Sequence, residues 1–227
     1  MDSEKIADQL LEIYGLLFEK FGDQHWWPAK TQFEVIVGAV LTQFISWSNV
    51  VKAIDNLKKS NLLDAGKLYE CDIEIIKELI KPAGFFNRKA VILKSVVAFV
   101  VEEFEGNLDK MFKTPLGVLR EMLLKVRGIG PETADSILLY AGYKKIFVVD
   151  AYTVRIFSRL GFIKNDEKYH DVQAFFMKHL PEEVDLYNQF HALIVKLGSD
   201  CCSGKKPKCA SCVLKSRCNE TGSHNEC

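Results

Sequence analysis

One short stretch limits the possible folds more than any other: Val126-Arg127-Gly128-Ile129-Gly130-Pro131-Glu132-Thr133-Ala134. Glycine permits positive φ and close backbone approach, and proline suits a first helical turn. With helical patterns over residues 115–125 before it and 132–143 after it, the stretch reads as two helices joined by a tight turn. Such a turn exposes backbone N–H groups at a helix N-terminus, a geometry suited to a nucleic-acid phosphate. A Gly-X-Gly turn serves equally well as a plain helix connection. Eighteen positions after Glu132 stands Asp150, closing the apolar run Ile146-Phe147-Val148-Val149. Ahead of Ala151-Tyr152-Thr153-Val154-Arg155, an aspartate is most simply a helix N-cap.

The rest of the chain also reads as helices. Over 4–21, Ile6, Leu10, Ile13, Leu17 and Phe21 share one face, and Gly22-Asp23 ends the run. His25-Trp26-Trp27-Pro28 is an aromatic loop, placed either to plug a core or to present a ring at a cleft mouth. Residues 32–43 predict a buried helix, with Gly38 and Ala39 allowing close packing. Residues 46–59 predict another, capped by Ser46. A short helix at 72–80 ends at Lys81-Pro82-Ala83-Gly84, and a long one runs from 85 to about 103. Helices at about 151–160, 168–179 and 185–199 complete an all-α reading, and the last nine residues are expected to fray.

Composition narrows the partners. Lys+Arg and Asp+Glu are both 30, so the net charge is zero and any contact with DNA must rest on local patches. The acidic, amphipathic N-terminus lacks the apolar core of a signal peptide, and no apolar stretch is long enough for a membrane span. A soluble, cytoplasmic protein is expected. Among seven cysteines, Cys71 and Cys227 stand apart, and the other five fall between 201 and 218. Inside a cell, such clustering favours metal binding over disulfides. In Cys202-x6-Cys209-x2-Cys212-x5-Cys218, four thiolates select zinc or iron–sulfur, and their chemistry leaves both open. Cys201 does not fit the spacing and is a bystander or an alternative ligand. Lys205, Lys206, Lys208, Lys215 and Arg217 decorate the loop, either for solubility or as a basic knob for phosphates.

Val-Arg-Gly-Ile-Gly-Pro-Glu-Thr-Ala followed by Val-Val-Asp resembles the helix-hairpin-helix and aspartate signature of the endonuclease III superfamily of DNA glycosylases. The segment from Pro82 to Ala90 is similar to the family's Gly-aromatic-Asn-x-Lys-Ala, and the 6-2-5 cysteine spacing resembles its 4Fe–4S loop. The likeness runs from about Phe18 to Cys218. It implies an all-α, two-domain HhH-GPD fold: a six-helix barrel domain with the hairpin over 25–143, and a helical domain from 1–24 plus 144–227 with the cluster loop. It implies a monomer acting on double-stranded DNA that contains a damaged base, with a 4Fe–4S cluster on Cys202, Cys209, Cys212 and Cys218. Gly128, Ile129, Gly130, Lys205, Lys206 and Lys208 would grip the DNA backbone. Gln43 matches the glutamine that fills the gap left by the extruded base, while Phe44 departs from the usual Asn or Ala. Asp150 would stabilise the positive charge that develops on the sugar.

One departure bears on chemistry. Bifunctional members use a hairpin lysine as a Schiff-base nucleophile, and Glu132 occupies that register here. A carboxylate cannot form a Schiff base, so a monofunctional glycosylase is expected. Trp-Trp-Pro, Phe-Glu-x-x-x-Gly-Ala-Val-Leu-Thr-Gln and Glu132 look most like the 3-methyladenine branch. Trp26 and Trp47 sit where a pair sandwiching an alkylated purine is expected, and aromatic faces attract cationic bases. Trp47 serves as well in a core. Oxidised or mismatched pyrimidines are alternative substrates, and a non-enzymatic lesion-binding protein is an alternative role. Of the histidines only His25, near the tryptophans, is singled out. Tyr140, Tyr152 and Arg155 read as core or surface.

Overall fold

The structure is a computed structural model that describes residues 3–43 and 45–219. Phe44 and the last eight of the nine residues expected to fray lie outside the described residues. Every regular element among the described residues is helical, in agreement with the all-α reading. No helix among them is long and apolar enough to cross a membrane.

The chain divides into two compact units: Met1–Trp26 with Lys145–Cys227, and Trp27–Lys144. The first unit begins with α1 (Ser3–Phe21), whose Ile6, Leu10, Ile13 and Leu17 are buried, as its spacing predicts.

The second unit is built on α2 (Gln32–Leu41), in which Phe33 to Leu41 are all buried. A helix apolar on every side belongs in an interior. Its one charge there, Glu34, is held by the Lys58 ammonium at 2.5 Å and the Lys30 backbone N–H at 3.1 Å. Around α2 come α3 (Trp47–Lys59), α4 (Ala65–Glu70), α5 (Ile73–Ile80), α6 (Phe86–Phe104), α7 (Leu108–Lys113), α8 (Leu116–Lys125) and α9 (Pro131–Ser136). α6 packs on α2, α4, α5 and α7. Helices α4 and α7 were not expected, yet Asp64 and Asn107 cap them through their side chains. Ser46 is the N-cap residue of α3 without a side-chain cap bond, because its hydroxyl pairs with Ser48. The run after α9 is not plain α-helix: Ile137–Ala141 is a π-helical turn, closed by Gly142 N–H to the Ile137 carbonyl. Gln32 donates to the Ala141 carbonyl at 2.8 Å.

The remainder of the first unit is α10 (Ala151–Arg159), α11 (Tyr169–His179) and α12 (Val184–Asp200). α12 packs on both α10 and α1. Phe147, Phe157, Phe176, Phe190 and Tyr187 fill its centre, with Phe147 stacked on Phe176 at 4.4 Å.

Candidate functional site

The hairpin between α8 and α9 is fixed from both sides. Gly128 has φ +85°, and a Cβ there would run into the Ile92 side chain, so only glycine fits. Gly130 has φ −95° and open space around it. Ile129 is buried and pins the turn, while Gly128, Gly130, Pro131 and Glu132 are exposed. Beneath them Arg120 of α8 grips Asp135 of α9 with two bonds, 2.7 and 3.0 Å. The exposed residues of the turn therefore sit on a stiff mount.

Gln43, just beyond α2, donates to the Thr133 hydroxyl at 3.0 Å and the Gly128 carbonyl at 3.3 Å. With Phe85, Arg88 and Lys89 it lines a depression of about 250 Å³. Phe85 was not singled out from the sequence. It is 69% exposed and left-handed, φ 46°, after Gly84 at φ 61°. A strained, exposed aromatic at a helix start is a functional signal visible only in the backbone. Lys89 holds this corner together: its buried ammonium donates to the Leu41 and Ala83 carbonyls, both at 2.7 Å. Burial lowers its pKa to about 8.

Trp47 meets Trp27 edge-on at 5.3 Å, and Trp27 also meets Tyr140 at 5.3 Å. The Trp27 indole lies on Gly38, where a Cβ would sit 3.0 Å from Nε1. Gly38 thus makes room for a ring, as well as for helix packing. Trp26 is half-buried and ends the first segment of the other unit.

Asp150 is the N-cap of α10, as the simple reading expected. Its Oδ1 accepts from the Thr153 N–H at 2.7 Å and the Thr153 hydroxyl at 2.8 Å, closing a capping box. Its Oδ2 lies 3.8 Å from His191 Nε2, and the two side chains are 10% and 9% exposed. Burial lowers the His191 pKa, and the Asp150 carboxylate opposes that shift. His191 was missed because it stands 41 positions from Asp150 in an apolar helix (191 minus 150). His25, singled out instead, is on the surface, 3.5 Å from the Asp23 carboxylate.

The cysteine loop carries two 3-10 turns, Cys209–Ser211 and Lys215–Arg217, with Leu214 buried beneath. Cys202, Cys209, Cys212 and Cys218 are half-buried. Arg159 donates to Cys202 Sγ at 3.1 Å and to the Ser203 carbonyl at 2.9 Å, and its own carbonyl accepts from the Cys218 thiol at 3.6 Å. Arg155 holds the Cys202 carbonyl at 2.9 Å. Cys201 is buried and directs its thiol to the Lys208 carbonyl at 3.2 Å. Burial pushes the Cys212 thiol up to about 12, with Cys201 and Cys202 adding to it. Among the described residues, no three metal-ligating side chains converge on one ion-sized point. The donors are thiols alone, the set that fits zinc or iron–sulfur. Lys205, Lys206 and Lys208 are exposed at the rim.

The sequence profile described as HhH-GPD superfamily base excision DNA repair protein matches residues 37–182. The chain is 48% identical to a Methanocaldococcus jannaschii protein provisionally named a DNA repair glycosylase, over 95% of this chain and 98% of that protein. It is 30% identical to endonuclease III of Sulfolobus acidocaldarius, over 82% and 81%. Among solved structures it is similar to the 3-methyladenine DNA glycosylase of H. pylori bound to 1,N6-ethenoadenine. That match has TM-score 0.73 and 30% identity, covering 87% of this chain and 97% of the other. A trapped endonuclease III–DNA covalent intermediate shares the fold at TM-score 0.83, with 22% identity over 97% and 99%. The chain belongs to the HhH-GPD superfamily of base excision DNA repair proteins, as one of its DNA glycosylases.

Proposed function

We propose that this glycosylase is monofunctional: it hydrolyses the N-glycosidic bond of a flipped-out alkylated purine such as 3-methyladenine and leaves an abasic site. The observation that carries the reading is the pair of carboxylates. Glu132 takes the hairpin register of the Schiff-base lysine, and Asp150 has one oxygen locked and the other turned from the cap. As the bond to C1′ breaks, its electrons go to the base, and an N-alkylated cationic purine leaves neutral. Asp150 stabilises the positive sugar and takes a proton from the water that adds to C1′. Trp26 and Trp47 are the expected stacking residues, and Trp27 joins them through its contact with Trp47. The H. pylori neighbour, a 3-methyladenine glycosylase by name, supports the substrate class.

Gln43 and Phe85 enter the duplex at the lesion, and Arg88 steadies a flanking phosphate. Gly128 and Gly130 present backbone N–H groups to a second phosphate, Ile129 seats the turn by donating its own N–H to the Val126 carbonyl at 3.1 Å, and Lys205, Lys206 and Lys208 neutralise other phosphates. Cys202, Cys209, Cys212 and Cys218 would hold a 4Fe–4S cluster, which would tie the loop together and contribute folding energy. Arg155 and Arg159 fix the loop's backbone for that purpose. The protein acts as a monomer in the cytoplasm.

The test is base release from randomly methylated duplex DNA by wild type and Asp150→Asn. Release of 3-methyladenine or 7-methylguanine by wild type alone, with no borohydride-trapped adduct, supports the proposal. Release only from oxidised or mismatched pyrimidine substrates overturns the substrate class, and a trapped adduct overturns monofunctionality. Tight lesion binding with no release from any of these substrates overturns the enzyme reading. Iron and sulfide in equal amounts support the cluster, and zinc overturns it.

A further inference from the structure

Asp150 has two oxygens with different neighbours. Oδ1 is spent on the N–H and hydroxyl of Thr153. Oδ2 is the oxygen left for the reacting sugar or water, and it faces Nε2 of His191 at 3.8 Å. This is too long for a direct hydrogen bond and short enough that a small side-chain movement closes it. His191 cannot drift away, because α12 is held between α10 and α1, and its neighbour Phe190 is covered by Tyr14 at 5.5 Å.

The helices packed most closely on α12 are α10 and α1. From α10 comes the Asp150 carboxylate, while Arg155 is turned to the Gly198 and Cys202 carbonyls. From α1 comes Tyr14, edge-on to Phe190. The Asp150 carboxylate is a charge that His191 meets, and burial lowers the ring's pKa so that it is neutral near pH 7.

We propose that His191 is the positioning residue for Asp150: in its Nε2–H tautomer it donates to Oδ2, holding the carboxylate ionised and aimed when the duplex is engaged. The proposal rests on the reading of Asp150 as the charge-stabilising group. A donor to the charged form favours it, so removing the donor moves the carboxylate's protonation toward neutral pH.

The experiment is single-turnover base release from randomly methylated duplex DNA across pH, for wild type, His191→Leu, His191→Gln and Asp150→Asn. Melting temperature and affinity for abasic-site duplex are measured alongside. His191→Leu is expected to lose about 10- to 100-fold in rate, the scale of one hydrogen bond to a charged group. Its acid limb is expected to move to higher pH while abasic-DNA affinity holds. His191→Gln, whose amide reaches the Nε2 position, is expected to recover most of the rate and restore the limb. If His191→Leu fails to fold, the pH profile of His191→Gln against wild type decides: a shifted limb with a lower rate overturns rescue by a neutral donor.

Unchanged rate and limb in His191→Leu, with Asp150→Asn inactive, overturns the role of His191 and leaves the glycosylase reading intact. A loss in His191→Leu that tracks DNA affinity or is not rescued by glutamine also overturns it. Equal activity of Asp150→Asn and wild type, or no release by either, overturns the reading on which the role rests, and the role with it.

Discussion

Two aspartates, one inside α9 and one at the head of α10, behave as opposites. Asp135 in α9 is fully buried, and Arg120 takes both of its oxygens. Asp150 at the head of α10 keeps a tenth of its side chain exposed, gives one oxygen to Thr153, and turns the other toward a neutral imidazole. Residue type and burial are nearly the same, and the number of committed oxygens differs. A carboxylate with both oxygens held by a guanidinium is a fastener. One with a single oxygen anchored is aimed, and its second oxygen can act on something else.

The sharpest break of this comparison is Asp150→Asn. Asparagine is as good an N-cap as aspartate, so melting temperature should barely move, while base release falls by about 10³-fold or more. A large loss of stability would instead make Asp150 a fastener too. Next comes Asp135→Asn, which leaves Arg120 facing a neutral amide. A cost of about 3 kcal/mol is expected in denaturant titration, the lower end for a broken buried pair because Arg120 is 26% exposed. Base release per folded molecule should change far less.

How much of this was readable beforehand varied with range along the chain. Helix α1 follows from its apolar spacing, and α10 from the Asp150 cap, because both signals are local. α4 and α7, six residues each, are too short to show a helical period, so only their caps betray them. Ser46 stands at the N-cap as read, but its hydroxyl pairs with the neighbouring Ser48 instead of a helix N–H. The Gly-Ile-Gly turn was legible as a turn, but that only Gly128 is obligatory depends on Ile92, 36 positions earlier (128 minus 92). The same holds for His191 beside Asp150 and for Phe85 beside Gln43. Nothing local announces them.

Lys89 extends the comparison to a buried cation that no carboxylate accompanies among the described residues, held by two backbone carbonyls. Its pKa of about 8 lies below the ordinary 10.5, so between those values the unfolded chain binds the proton that the folded one has released. Stability from this group therefore rises with pH across that window and is lost as pH falls through about 8. Urea titrations should show wild type gaining on Lys89→Met from pH 8 to 10, and a constant gap would contradict the assignment. The smallest effect belongs to Thr153→Val, which removes one donor from Oδ1 and half of the capping box. A cost of about 1 kcal/mol is expected. Any accompanying shift in the pH profile of base release would show that the anchored oxygen also tunes the aimed one.

The π turn at Ile137–Ala141 has a consequence for how this helix can vary. Each residue of an α-helix advances the side-chain direction by about 100°, so an added or lost residue in a regular helix would swing everything beyond it. Here the wide turn itself carries Tyr140 and closes the helix, so a change in that turn re-aims this ring, while the end carrying Gly130 and Glu132 keeps its heading.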